Sequence, residues 1–79
     1  MEELMGFITG NKNRQKLLSL LGSRGQLEGV RIAKNMHIAK ISADKILEEL
    51  AEKDLIVEEN GFYKLTELGT TVERSVQSI

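Results

Sequence analysis

Of the 11 Lys and Arg side chains in this 79-residue sequence, eight lie in the first 45 positions: Lys12, Arg14, Lys16, Arg24, Arg31, Lys34, Lys40 and Lys45. Only four acids share that stretch, which is therefore net +4, whereas residues 46–79 hold three cations and eight acids and are net −5. The overall charge of −1 argues against a polyanionic partner, but that average hides the gradient. An asymmetry of this size predicts one basic face, whose chemistry is contact with phosphates or other anions. Two solvated blocks that keep a small protein in solution would give the same count, so the charges need a fold to organise them.

Other chemistries find no residues. The sequence has no Cys, which removes disulfides, thiolate metal sites and thiol nucleophiles together. His37 is its single His, so no His-based metal site or His pair can form, and a turn residue or phosphate neighbour is the expected role. "GNKNRQK" and "GSRGQLEG" lack the Gly-Lys-Ser/Thr ending of a phosphate loop and the spacing of a dinucleotide loop, and read as helix punctuation. Glu48, Glu49 and Glu52 crowd one helix, but without a cleft such carboxylates do surface duty. The expectation is a protein without enzymatic activity, cofactor or metal.

The elements that must position the cations follow from period and punctuation. At 79 residues, 41% hydrophobic and 29% charged, with no Pro, the chain is predicted to be one globular domain spanning 1–79. A helix is predicted over about 11–21, started by Asn11 or Asn13 and carrying Leu17, Leu18, Leu20 and Leu21. It is expected to stop at "GSRG", with Leu27 a lone extended residue beyond. Ahead of it, "ELMGFI" fits a helical turn or a short strand. A second helix fits 29–36, with Val30, Ile32, Ala33 and Met36 on one side and Arg31, Lys34 and Asn35 on the other. After a turn at 37–39, a third helix spans about 40–54, with Ala43, Leu47 and Leu50 at i, i+4 and i+7. The period then changes to two. Asn60-Gly61 joins two short strands of a hairpin over 55–65, and Thr66 caps a last helix over about 67–77. Leu68, Val72, Val76 and Ile79 form its stripe. No apolar run approaches the roughly 20 residues of a membrane span, and the acidic start "MEELMGFITG" is unlike a basic signal peptide, so a cytoplasmic protein is expected.

This order of elements resembles the winged-helix domain of small prokaryotic and archaeal MarR/ArsR-like transcription regulators. "LEGVRIAKNMHIAKISADKILEEL" is similar to their helix-turn-helix, with Ile32-Ala33 as the buried pair, Ile38 plugging the turn and Ala43, Leu47 and Leu50 on the inner face. "LAEKDLIVEENGFYKLTELG" resembles their wing and its aromatic-x-Leu-Thr-x-x-Gly close, and "NKNRQKLLSLLGSRG" resembles their first helix. The resemblance covers residues 11–72. It departs at Glu28, a weaker cap than the usual Ser, Thr or Asp, at His37 in place of a turn Gly, and at Ala39 in place of Ser or Thr. It implies a mostly α fold with a small β-hairpin wing: a winged helix-turn-helix of three core helices, a two-stranded wing and a C-terminal helix.

The implied activity is sequence-specific binding of double-stranded DNA by a regulator, with the third helix in the major groove. Its N-terminal residues would face base edges. Lys40 and Lys45 can donate to guanine, Ser42 can bond several acceptors, Asp44 can accept from cytosine, and Ile41 can pack on a thymine methyl. Lys12, Arg14, Lys16, Arg31, Lys34 and Lys64 form the stock for phosphate contacts. Such regulators bind as homodimers, for which Leu4, Phe7, Val76 and Ile79 are the expected interface. Leu68 and Val72 are expected to pack on their own domain. Glu58 and Glu59 at the wing tip would repel phosphates. A second expectation is therefore a winged helix serving as a protein-interaction or assembly module, with a protein partner in place of DNA.

Overall fold

The computed structural model describes residues 1–78 and orders them as α1 Glu2–Thr9, α2 Lys12–Arg24, β1 Gln26–Glu28, α3 Gly29–Met36, α4 Lys40–Glu52, β2 Ile56–Glu59, β3 Phe62–Leu65 and α5 Glu67–Gln77. The "ELMGFI" segment is thus a helix of its own. The Asn11 side chain caps α2 by accepting from the backbone N–H groups of Asn13 at 3.0 Å and Arg14 at 3.1 Å.

That helix does not stop at Leu21. It continues through Gly22 to Arg24 and ends at Gly25, whose φ of +87° is open to glycine. Gly22 has a packing role instead: a Cβ there would stand 2.8 Å from Glu73 Oε1 of α5. The missing side chain lets the two helices close up.

The turn between α3 and α4 is built as its sequence suggests. His37 takes the left-handed conformation, φ 56° and ψ 43°. The next N–H, of Ile38, reaches back to the Ala33 carbonyl at 3.1 Å, the long bond of a Schellman ending. Ile38 is half-buried against the core. Neither Glu28 nor Ala39, the residues that begin α3 and α4, caps its helix with a side chain.

Leu27 is not a lone extended residue. It is the centre of β1, which pairs antiparallel with β3 in the register Leu27↔Tyr63, and the sheet runs β1-β3-β2. The two-stranded wing therefore has a third strand at its root. Positive φ at both Asn60 (54°) and Gly61 (86°) makes the β2–β3 connection a two-residue turn matched to strand twist. Thr66 then ties wing to helix: its hydroxyl donates to the Asp54 carbonyl at 2.6 Å and accepts from the Gly69 N–H at 3.0 Å.

One cluster forms the core, with Ile8, Leu17, Leu21, Ile32, Leu50, Leu55 and Val72 among its fully buried members. Val76 belongs to it as well, at 7% exposure, so its surface is spent inside its own domain and is not offered to a second copy. Leu4 and Phe7 pack against the same cluster and keep part of their surface exposed. Ile79, the remaining dimer expectation, lies outside the described residues. Among the described residues no helix is long and apolar enough to cross a membrane.

Candidate nucleic-acid interface

Helix α4 has one face committed to the core through Ala43, Ile46, Leu47 and Leu50, and presents Lys40, Ile41, Ser42 and Lys45 to solvent at its start. Ile41 is 79% exposed, more than any other large hydrophobic residue in the described chain. No side chain caps this helix, so the N–H groups of its first turn and the positive end of its dipole face outward.

Two of the three charged residues at the tip, Lys40 and Asp44, are bound to one another. Lys40 Nζ lies 2.6 Å from Asp44 Oδ1, with both side chains about half exposed (50% and 48%). The Lys40 stem runs over the start of α3, where Gly29 makes room: a Cβ there would meet Lys40 Cε at 3.4 Å and the Tyr63 ring at 3.6 Å. An exposed i,i+4 pair contributes only about 0.3–0.5 kcal/mol. It biases Lys40 toward its own helix without locking it there.

Two shallow clefts gather Lys12, Lys16, Lys34 and Lys40. One, between α2 and the end of α3, is bordered by Lys12, Lys16, Leu20, Met36 and His37. The other, between α3 and the start of α4, is bordered by Val30, Ala33, Lys34, His37, Ile38 and Lys40. His37 borders both, so Lys12 and Lys16 share one continuous surface with Lys34 and Lys40. Arg31 is exposed on α3 beside it. Lys12, Lys16, Arg31 and Lys34 have no ion-pair partner among the described residues.

Two expected phosphate donors are engaged elsewhere. Arg14 bonds Glu49 on α4 through Nε and Nη2 at 3.3 and 3.1 Å, donates to the Phe7 carbonyl at 3.1 Å, and lies 4.0 Å from the Phe7 ring centroid. It is a clasp among α1, α2 and α4 and not a surface cation. The bond from Arg14 holds the Glu49 carboxyl below its ordinary value of 4.5; the charges of Arg14 and Lys45 act in the same direction. On the wing, Lys64 pairs with Glu59 at 2.6 Å, and Glu58 accepts from the Gly61 N–H at 2.6 Å. The wing's single cation is thus neutralised locally, and its acids serve its own turn.

Two features escape the sequence pattern. Val30, apolar like Ile32 and Ala33, is nevertheless 54% exposed, because it lies about 160° round the helix from Ile32. The role of His37 as the seam between two clefts depends on how α2 packs on α3, which has no local signature. Among the described residues no group of three or more His, Cys, Asp or Glu could hold a metal ion.

No protein-family model and no curated protein matches the sequence. Solved structures do match its fold. Ligand-free NadR superposes with a TM-score of 0.82 at 25% identity, over 86% of this chain and 52% of that one. Reduced MarR from Escherichia coli superposes with a TM-score of 0.86 at 19% identity, over 96% and 57%. MepR, a transcription regulator of the Staphylococcus aureus multidrug efflux pump MepA, gives 0.79 at 21%, over 86% and 56%. The chain spans about half the length of each. An exposed helix tip beside a hairpin rooted in a three-stranded sheet, superposing at this level, gives this chain the winged-helix fold of the MarR-type regulators.

Proposed function

We propose that this chain binds double-stranded DNA in a sequence-specific manner and regulates transcription, laying the start of α4 in the major groove. The observation that carries the reading is the shared surface: an exposed, uncapped helix tip whose flanks carry Lys12, Lys16, Lys34 and Lys40 across the His37 seam. A helix fits the major groove, and cations beside it on α2 and α3 meet a phosphate strand that borders the groove. Lys40, Ile41, Ser42, Asp44 and Lys45 then face base edges, with Lys40 and Asp44 exchanging their mutual pair for base contacts. Lys12, Lys16, Arg31 and Lys34 meet phosphates. Arg14 does not, because it is held by Glu49 and the Phe7 carbonyl, and Lys64 is disfavoured by the acids Glu58 and Glu59 beside it on the wing.

Four phosphate contacts give a dependence of log K on log salt of about −3.6. The longest dimension of the domain is 30 Å, shorter than the roughly 34 Å between successive major-groove half-sites on one face of DNA. One copy therefore covers one half-site, and two copies related by a two-fold axis cover a full one. Helix α1, where Leu4 and Phe7 keep exposed surface, is the element we assign to that contact. The regulators with which the chain shares its fold support the reading.

Selection of bound duplexes from a random pool, followed by titration at two salt concentrations, tests it. A folded protein that retains no duplex at low salt refutes it. The exposed Glu48 and Glu52 on the far end of α4 favour a second reading, a docking module for a basic protein partner. Pull-down with and without nuclease separates the two, because a partner lost on nuclease treatment was held through nucleic acid.

A further inference from the structure

We infer that the tip of α4 reads the C5 methyl group of thymine, and that Ile41 is the residue that makes the discrimination. The inference rests on the DNA-binding reading above and deepens it.

Exposed to 79%, Ile41 leaves its apolar surface in water at the start of a helix whose buried face already holds four apolar residues. Nothing in the described domain covers it. Its neighbour Lys40 borders the cleft of about 450 Å³ between α3 and α4, together with Val30, Ala33, Lys34, His37 and Ile38. In the major groove the apolar group that an exposed Ile can meet is the thymine methyl, which no other unmodified base carries.

Among the tip's polar residues, Lys40 and Asp44 exchange their 2.6 Å pair for any base contact, and the exposed Ser42 and Lys45 supply hydrogen bonds, which uracil and thymine accept alike. Ile41 needs no rearrangement. Contact between its side chain and one methyl buries a group of CH₂ size, which is worth a factor of about four in affinity.

The test uses the duplex selected from the random pool. Each thymine is replaced singly by uracil, which removes the methyl and keeps every hydrogen-bonding group of the base, and dissociation constants are read by fluorescence anisotropy. The expected result is about fourfold weaker binding at one or two uracil positions and no change elsewhere. The variant Ile41→Ala is expected to bind thymine and uracil duplexes equally. Because the side chain is solvent-exposed, this variant keeps its fold, which circular dichroism checks. Uracil duplexes that all bind like the parent overturn the methyl inference and leave DNA binding standing. So does a variant Ile41→Ala that keeps the discrimination. Failure of the wild-type chain to bind any duplex overturns both.

Discussion

Adding one methyl at Gly69 tests how the wing is fastened to the last helix. Gly69 is buried in the first turn of α5, and a Cβ there would overlap the Leu55 carbonyl oxygen and stand 2.9 Å from its carbon. Both obstacles are backbone, so no side-chain rotation relieves them and α5 must move away from the start of the wing. Movement breaks the Thr66 N–H bond to Leu55 O and disturbs the Thr66 cap on Gly69; each is worth about 1 kcal/mol. It also loosens Val72, which is fully buried one turn along, for a further loss of about 1–2 kcal/mol. The expected destabilisation by Gly69→Ala is about 3–4 kcal/mol. A chain of this length has about 4–12 kcal/mol in all, so the thermal midpoint should fall by about 12–30 °C. Gly6→Ala is the matched control. Nothing lies within 4 Å of its added Cβ, and an alanine in mid-helix is expected to gain about 0.5–1 kcal/mol. Urea unfolding followed by circular dichroism reads both. A Gly69→Ala chain within about 0.5 kcal/mol of wild type would refute this account of the wing's attachment.

Three further outcomes are expected. The Glu49 carboxyl is held below its ordinary value in the folded chain by its bond from Arg14. Its contribution to stability is therefore complete above the unfolded value and disappears as pH falls through the folded one; Glu49→Gln should flatten that part of the acid unfolding curve, and an unchanged curve would contradict the clasp. Glu73 is buried with Oε2 unpartnered among the described residues, so Glu73→Met, which removes the desolvated oxygens at similar volume, should raise the urea midpoint by about 1 kcal/mol of stability, and a fall would show that the carboxylate has a partner in solution. Lys34→Ala should weaken binding to all duplexes alike and make the salt slope shallower by about 0.9, whereas a change confined to particular sequences would place Lys34 on a base.

Local chemistry made much of this fold legible. Asn60-Gly61 specified the hairpin, Thr66 the start of α5, and the spacing of Ala43, Leu47 and Leu50 the inner face of α4, because each signal acts within a few residues of itself. Contacts between distant segments were not legible. Strand β1 is three residues long and exists through pairing with β3 some 36 positions away in the register Leu27↔Tyr63. The Arg14–Glu49 clasp spans 35 positions, so nothing near Arg14 distinguishes it from Lys12 or Lys16. Val76 reads as the outer end of a stripe until α1 is known to be a helix that packs against α5. Gly22 reads as a helix end until Glu73 stands opposite it. The tip of α4 was placed from its pattern, but the Lys40–Asp44 pair, which alters how that tip can read a base, depends on side-chain choices that a four-residue spacing permits without requiring.

The central claim is that duplex DNA meets this domain on the surface that joins α2, α3 and the start of α4. A titration of ¹⁵N-labelled protein with the selected duplex, followed by amide chemical shifts, tests it residue by residue. The account predicts the largest changes at residues 39–45, with a second group at residues 12–16 and 31–37, and small changes at the wing tip, residues 58–61. Changes concentrated on the wing or on the acidic end of α4, with residues 39–45 unmoved, would contradict it.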